Sequence, residues 1–188
     1  MRIGILSVQG AFIEHEKMLS ELGCNCVELR KKTDICSLDG LVLPGGESTV
    51  QGKLLHELSM FEPLKEIITA DTPVLATCAG LILLARKISN DSNVYFGTMP
   101  VTVKRNAYGR QLGSFTCRSD FGDLKEVKMT FIRAPYIETA GEDVSILSQV
   151  DNHIVAARYK NQIGLSFHPE VDEDTRIHEY FLEQIKKS

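Results

Sequence analysis

The stretch PVLATCAGLILLARK, residues 73–87, decides the fold that the sequence predicts. Its opening run, residues 73–76, is short and apolar, as is typical of a fully buried strand. The longer apolar run over residues 79–87 predicts the helix that follows. Cys78 therefore lies on the turn between a buried strand and a helix.

The segments before this stretch repeat the same alternation. Residues 2–8 form a β-branched-rich run that stops at Gln9 and Gly10, and the next segment places apolar side chains at near-helical spacing. Gly23 and the turn Pro44-Gly45-Gly46 mark where a helix and a strand end. The predicted strands cover residues 2–8, 26–29 and 40–43, and the predicted helices cover residues 12–22 and the segment after Ser48.

The second half of the chain has a different pattern. Between residues 94 and 159, short β-type runs alternate with polar or glycine-containing turns, which favours antiparallel pairing. Residues 162–167 form one more apolar run, and residues 175–186 predict a closing amphipathic helix. The sequence thus predicts an α/β fold, an open sheet flanked by helices with an antiparallel β insertion, in a single domain over residues 1–188.

Composition excludes several classes of function. The 188 residues are 43% apolar and 24% charged, with a formal net charge of −4 and scattered lysines and arginines, so nucleic-acid binding is not expected. The N-terminal apolar run is too short for a signal peptide, and no run approaches the roughly 20 apolar residues of a membrane span, so we expect a cytoplasmic protein. The five cysteines form no CxxC pair and are expected to be reduced thiols, and the histidines lack metal-binding spacing, so no metal is expected.

Cys78 is the first candidate catalytic residue. The small residues Ala76 and Gly80 flank it at the inferred strand-to-helix turn, which is the pattern of a nucleophile elbow. The following helix would point its N-terminal N–H groups and positive dipole end at the sulfur, which favours the reactive thiolate. The alternative is that Cys78 is a buried core thiol, as we expect for the other four cysteines.

His168 and Glu170 follow the last predicted strand, in the segment SFHPE. Open α/β sheets place their ligand sites at strand ends, so a Cys–His–acid triad with Cys78 is geometrically possible. The alternative is a solvated turn with a local ion pair. Another group of titratable residues, Glu14-His15-Glu16, falls on the first helix and is predicted to be a solvated face.

Two further features suit binding of an amide with a free carboxylate. The loop LPGGEST, residues 43–49, has two glycines that let backbone N–H groups approach an oxyanion, although a turn capped by Ser48 is the simpler interpretation. It lacks the GK[ST] ending of a phosphate loop. Arg105, Arg110 and Arg133 stand at the ends of β-type runs and suit a carboxylate, although isolated arginines are usually solvated.

Taken together, these segments resemble the class I, triad-type glutamine amidotransferases, and among them the glutaminase subunits of pyridoxal 5′-phosphate synthases. The motifs GLVLPGGEST, TCAGLILLA, RNAYGRQ, FIRAP and SFHPE occur in the family's order and spacing, and the resemblance extends from SVQGAFIEH to RIHEYF. The cysteine elbow and HPE are general to these amidotransferases, whereas GGES, RNAYGRQ and FIRAP indicate the vitamin B6 branch. One departure is Ala76, where the family usually has glycine, and its methyl group could tighten the elbow.

The resemblance implies a flavodoxin-like α/β glutaminase fold in which Cys78 is the nucleophile and His168 and Glu170 complete its charge relay. It implies hydrolysis of L-glutamine to glutamate and ammonia through a γ-glutamyl thioester, with no cofactor. The implied glutamine site consists of Gly46, Glu47, Ser48, Arg105, Ile132 and Arg133. The implied oxyanion donors are the N–H groups of Gly46 and Ala79, and Gln9 would adjust the oxyanion site when a partner docks.

The implied partner is a barrel-shaped synthase subunit, assembled into a large ring that carries the glutaminases. It would receive the ammonia and join it to ribose 5-phosphate and glyceraldehyde 3-phosphate, so that pyridoxal 5′-phosphate is a product and not a cofactor. Two alternatives remain at this point. A glutaminase of another synthase, such as that of the histidine or anthranilate pathway, is disfavoured by RNAYGRQ and FIRAP, and a catalytically silent binding subunit is disfavoured by the complete triad.

Overall fold

The architecture is an α/β fold built on one large mixed sheet. The computed structural model describes residues 1–107 and 113–187, so that Arg110 and most of the RNAYGRQ motif lie outside the described residues. The strands are β1 (Arg2–Leu6), β2 (Asn25–Leu29), β3 (Gly40–Leu43), β4 (Val74–Thr77), β5 (Ala85–Ile88), β6 (Met99–Lys104), β7 (Ser114–Phe121), β8 (Leu124–Ile132), β9 (Tyr136–Ala140), β10 (Ser145–Val150), β11 (His153–Tyr159) and β12 (Gln162–Leu165). The helices are α1 (Phe12–Glu21), α2 (Ser48–Glu57), α3 (Phe61–Thr69), α4 (Ala79–Leu84) and α5 (Arg176–Lys187).

The large sheet has two halves. Its strand order is β2-β1-β3-β4-β12-β11-β9-β6-β5, with β10 pairing β11. The strands β1 to β4 and β12 all run parallel to their neighbours in this group and form the parallel half. The strands β5, β6, β9, β10 and β11 form the mixed half, in which only β5 and β6 are parallel. The predicted fold class, a mostly parallel open sheet with an antiparallel insertion, is confirmed.

A separate antiparallel hairpin, β7–β8, lies outside the large sheet. It contributes Phe121 and Phe131 to a buried cluster that also contains Phe167 and Phe181. The hairpin is thereby packed against the end of β12 and against α5.

Alternation along the buried strands explains how helices cover both faces of the sheet. In β3, Leu41 and Leu43 enter one buried cluster and Val42 enters the other, as the period of two in a strand requires. The first cluster includes Leu55 of α2 and Leu64 of α3, while the second includes residues of α1 and α5. Strands covered on both faces need to be apolar throughout, which is why the parallel half gives continuous apolar runs in the sequence.

The boundaries of the predicted strands and helices agree with the structure to within two residues, except after Cys78. The helix predicted for residues 79–87 ends at Leu84, because Ala85 takes extended backbone angles and opens β5, which pairs with β6 from Ala85↔Met99 onward. The apolar run therefore continues from a helix directly into a strand. Apolar character alone does not distinguish a buried helix from a buried strand. Helix α3 is a further element that the sequence did not single out. Among the described residues, no helix is both long and apolar enough to cross a membrane.

Candidate active site

The loops that follow four parallel strands meet at one edge of the sheet. They bring together Gln9 after β1, the Gly45-Gly46-Glu47 turn after β3, Cys78 after β4 and His168 after β12. Carboxyl ends of adjacent parallel strands are where open α/β sheets bind ligands. A cavity of about 230 Å³ opens there, lined by Gln9, Ala11, Gly45, Gly46, Glu47, Ser48, Cys78, Ile82, Arg105, Asn106, Ile132, Arg133, Pro135 and His168.

Cys78 occupies a sharp turn between β4 and α4. Its backbone has φ 48° and ψ −99°, a conformation that side chains rarely adopt, and its N–H donates to the carbonyl of Leu165 at 2.8 Å. At Gly80, an added Cβ would lie 2.1 Å from the carbonyl oxygen of Leu43, so the helix approaches β3 too closely for any larger residue. The chain thus adopts the elbow geometry, and Cys78, a residue that is 7% exposed, lines the cavity.

His168 and Glu170 form a buried pair beside the elbow. His168 Nδ1 lies 2.7 Å from Glu170 Oε1, and the two residues are 6% and 5% exposed, so the segment is not a solvated turn. The backbone N–H of His168 donates to the carbonyl of Thr130 at 2.8 Å, and this bond fixes the position of the His168 backbone from which the imidazole extends. The structure therefore brings Cys78, His168 and Glu170 together in the order that a triad requires.

The electrostatics of this pair favour a charged imidazole next to a carboxylate. Burial favours the neutral ring, but hydrogen bonds to Cys78 and Glu170 and the charge of Glu170 outweigh it and raise the pKa of His168 to about 10. Burial also opposes ionisation of Glu170, yet the neighbouring His15 and His168 together hold its pKa below the ordinary value. Glu170 is thus kept as the carboxylate that a histidinium needs.

His15 is a member of this cluster that the sequence analysis placed wrongly. It was predicted to lie on a solvated face with Glu14 and Glu16, but its side chain is fully buried. The physical reason is that His15 precedes Met18 and Leu19 by three and four residues, which puts it on the apolar side of α1. That spacing is the signal that would have found it.

His15 contacts the triad residue Glu170 and two further buried side chains. Its Nε2 lies 3.4 Å from Glu170 Oε2 and 3.2 Å from the hydroxyl oxygen of Thr77, while its Nδ1 lies 2.8 Å from Nε2 of the buried His178. Thr77 directly precedes Cys78, and its hydroxyl oxygen accepts the N–H of Gly45 at 2.9 Å.

The glycine loop lies against both the triad and the first strand-to-helix turn. An added Cβ on Gly45 would lie 2.2 Å from His168 Cε1, so the imidazole packs directly on this backbone. Gln9 Oε1 accepts the N–H of Glu47 at 2.8 Å, so Gln9 braces the loop from the other side. Ala79 is the first residue of α4, and its N–H has no acceptor within the helix, as is true of every helix start.

Polar side chains on the other wall of the cavity suit an amino acid. Ser48 is buried, and its hydroxyl has no hydrogen-bond partner among the described residues; it opens α2 without capping it, so the interpretation of Ser48 as a helix cap is wrong. Arg105 pairs with Glu47 at 2.7 Å and with Asp91 at 2.6 Å, and its side chain is 18% exposed, unlike a solvated surface arginine. Ile132 and Arg133 end the hairpin and stay exposed beside the cavity, Arg133 with φ 45°.

Comparison with known proteins decides the family. The sequence model of the SNO glutamine amidotransferase family matches residues 5–187. The chain belongs to this family. It is 67% identical to "Pyridoxal 5'-phosphate synthase subunit PdxT" of Desulfitobacterium hafniense (strain DSM 10664 / DCB-2) over 98% of the chain and 94% of that protein. It is 55% identical to the protein of the same name from Methanocorpusculum labreanum, over 98% of each.

Solved structures agree with membership of the SNO glutamine amidotransferase family. A crystal structure described as a glutamine amidotransferase superposes with a TM-score of 0.93 at 37% identity, over 98% of both chains. A structure of PurLQS from Thermotoga maritima matches with a TM-score of 0.67 at 16% identity, which shows a shared fold alone. The prediction of a glutamine amidotransferase of the vitamin B6 branch is therefore confirmed.

Proposed function

We propose that this chain is the glutaminase subunit of a pyridoxal 5′-phosphate synthase, and that Cys78, His168 and Glu170 are its catalytic triad. The carrying observation is that these three side chains are buried together beside a cavity at the carboxyl edge of the parallel strands, with His168 hydrogen-bonded to Glu170 and to Cys78. The family supplies the reaction class, glutamine hydrolysis, and the high-identity relatives supply the biosynthetic setting.

The reaction proceeds by acyl transfer through the cysteine. The Cys78 sulfur attacks the side-chain carboxamide carbon of L-glutamine, and His168 delivers a proton to the leaving nitrogen, so that ammonia departs and a γ-glutamyl thioester forms. Water then attacks the thioester with His168 taking its proton, and glutamate leaves as the Cys78 sulfur is released. Glu170 accepts a hydrogen bond from the ring at Nδ1 and stabilises the imidazolium in both steps.

The negative oxygen of the tetrahedral intermediate needs two donors near the sulfur. The N–H groups of Gly46 and Ala79 are suited to this. Gly46 directly follows Gly45, which packs on His168, and Ala79 is the first residue of the helix that follows Cys78. Gln9 acts on the same loop through its bond to Glu47, so movement of the first turn would alter the oxyanion site.

The two ends of the free amino acid are held on the opposite wall. The guanidinium groups of Arg105 and Arg133 suit the α-carboxylate, and Glu47 suits the α-ammonium. Gly46, Ser48 and Ile132 complete the site. A cavity of about 230 Å³ is below the roughly 300–1,000 Å³ of pockets for drug-sized ligands, which suits a single amino acid.

The released ammonia passes to the synthase subunit of the same complex, a barrel-shaped protein assembled as a ring. The names of the relatives support a synthase partner, and the family resemblance implies the ring-shaped assembly. The cytoplasmic location and the single domain over residues 1–188 rest on the sequence pattern and the length of the chain. The glutaminase itself requires no cofactor in this scheme.

The decisive experiment measures ammonia released from glutamine by the chain alone and with its synthase. We expect release to rise when the synthase is added and to fall by about 10⁴-fold or more in Cys78→Ala, because the nucleophile is lost. Cys117→Ala, at a half-buried cysteine of the hairpin, is the matched control and should behave as wild type. Equal release by wild type and Cys78→Ala would refute the triad, and release that ignores the synthase would refute the partner.

A further inference from the structure

A second polar cluster lies directly behind the triad and has no part in the reaction described above. It consists of His15 on α1, His178 on α5 and Thr77 on β4, and all three side chains are fully buried. Most buried polar groups in proteins are hydrogen-bonded, and the bonds among these three side chains constrain the atoms around them. Glu170 is the point where the cluster touches the triad.

The carboxylate of Glu170 presents its two oxygens to two different histidines. Oε1 is bound by His168 at 2.7 Å, and Oε2 faces His15 Nε2 at 3.4 Å. Within the described part of the chain, Oε2 has no hydrogen-bond partner, and the His15 nitrogen is the polar group that faces it, at a distance typical of an electrostatic contact. His15 is therefore the group that determines how the second oxygen, and with it the plane of the carboxylate, is held.

The tautomer of His15 follows from this contact. A bare nitrogen lone pair facing a buried carboxylate oxygen would be repulsive, so Nε2 carries the proton and points it toward Glu170 and Thr77. Nδ1 is then the acceptor, and the proton in its 2.8 Å contact belongs to His178 Nε2. His178 thus fixes the tautomer of His15, as a partner on the far nitrogen commonly does for a functional histidine.

The same nitrogen of His15 also contacts the residues that hold the glycine loop, where the proposed oxyanion donor Gly46 lies. His15 Nε2 lies 3.2 Å from the hydroxyl oxygen of Thr77, which in turn accepts the N–H of Gly45. Gly45 precedes Gly46, and its backbone packs on the ring of His168. One buried nitrogen therefore touches both the acid of the triad and the residue that anchors the glycine loop.

We propose that His15 is a positioning residue for glutamine hydrolysis, which orients Glu170 through its Nε2–H and ties the triad to the glycine loop through Thr77. The inference rests on the proposed function of the site. His15 touches neither substrate nor reacting atoms, so it acts through Glu170 and Thr77 and not as a catalytic group.

The charge state of the cluster is consistent with this role. Burial lowers the pKa of His15, and among its charged neighbours Glu170 and Glu14 oppose the shift while His168 adds to it. Burial, followed by the proximity of His15, holds the pKa of His178 well below its ordinary value. Burial thus favours the neutral form of both rings, and in that form the Nε2–H of His15 bonds to Thr77 and faces Glu170.

The test compares three variants in the complex with the synthase. His15→Leu removes the donor with little change in volume, His15→Gln keeps an N–H near the Nε2 position, and His56→Leu on α2 is a control at an exposed histidine. We expect His15→Leu to lower kcat by about 10–100-fold, the range found for supporting partners of functional side chains, with little change in the KM for glutamine. His15→Gln should recover most of the loss, and His56→Leu should match wild type.

The pH profile separates positioning from a merely structural role. Without His15, the buried Oε2 of Glu170 loses the polar group that faces it and that helps to lower the pKa of Glu170, so the acid limb of kcat/KM should move to higher pH in His15→Leu and return in His15→Gln. A structural defect would lower activity by the same factor at every pH. An unshifted acid limb in His15→Leu, or a His15→Gln variant as slow as His15→Leu, would overturn the proposal.

A double-mutant cycle gives an independent measurement, because it compares the effect of His15→Leu in two backgrounds. If His15 acts through Glu170, His15→Leu should cost little further activity in a Glu170→Gln background. Losses that multiply fully would show that the two residues act separately, against the proposal. An active wild type with a dead Cys78→Ala variant keeps the triad intact whatever these outcomes, so failure here and failure of the proposed function are distinct.

Discussion

The parallel half of the sheet and the region formed by the mixed half with the β7–β8 hairpin serve the site in different ways. The parallel half supplies Cys78 and His168 from the ends of buried strands, at positions fixed by strand register. The other region supplies Arg105 and Arg133, which stand at strand ends with exposed or partly exposed side chains. In the proposed function, the reacting groups rest on rigid backbone contacts and the substrate contacts on longer side chains, of which Arg105 is held by ion pairs with Glu47 and Asp91. Substitutions in the first region should act on kcat, and those in the second on KM.

The largest effect is expected where the backbone of the parallel half touches the histidine. Gly45→Ala would place a methyl carbon 2.2 Å from His168 Cε1 and displace the ring from Cys78. A misplacement of about 1 Å costs about 100-fold in rate, so we expect kcat to fall by at least about that factor. The matched change in the mixed half, Gly141→Ala, meets its nearest atom at 3.2 Å and should keep kcat near wild type. Similar kcat values for the two variants would contradict the comparison.

A smaller effect, on binding, is expected in the mixed half. Arg105→Lys loses the planar fork that spans Glu47 and Asp91 and faces the cavity. Hydrogen bonds to charged groups contribute about 1.5–3 kcal/mol, so the KM for glutamine should rise about 10–100-fold while kcat changes little. Steady-state kinetics with the synthase present measures both constants. Arg86→Lys, at an exposed arginine of β5 outside the cavity, should leave KM unchanged, and a loss confined to kcat in Arg105→Lys would contradict a binding role.

The smallest effect concerns stability and the buried histidines behind the parallel half. Burial lowers the pKa of His178 in the folded protein, so below pH 6.5 the unfolded chain binds a proton there that the folded protein does not. This contribution to stability is complete above pH 6.5 and is lost as pH falls through the window between 6.5 and the lower folded value.

Denaturant unfolding at pH 5 to 7 checks this expectation. In wild type the free energy of unfolding should decrease as the pH falls, and His178→Gln should remove from this slope up to about 1.4 kcal/mol per pH unit. Parallel pH profiles for wild type and His178→Gln would show that this histidine does not titrate as the structure indicates.

The sequence was informative where a local pattern of residues marks both the secondary structure and the candidate catalytic residue. Cys78 is flanked by small residues between an apolar strand and an apolar helix, and each of those signals is local. His15 was missed because its immediate neighbours, Glu14 and Glu16, are acidic, while its burial depends on α5 and on the turn that carries Glu170. The end of α4 at Leu84 was missed because β5 exists only through its pairing with β6. Tertiary pairing of this kind leaves no periodic trace in a short apolar run.

The central position of β12 has a consequence for biosynthesis. This strand comes late in the chain yet lies between β4 and β11, and its register pairs Gly164 with Ala76. During translation the earlier strands are complete while the slot between β4 and β11 is still empty, and His168 and Glu170 follow β12 directly. Until this strand emerges from the ribosome and pairs, Cys78 lacks the contacts that it makes with Leu165 and His168 in the folded chain. Insertion of so distant a segment is among the slower steps of folding, so the reactive site assembles last and as a unit.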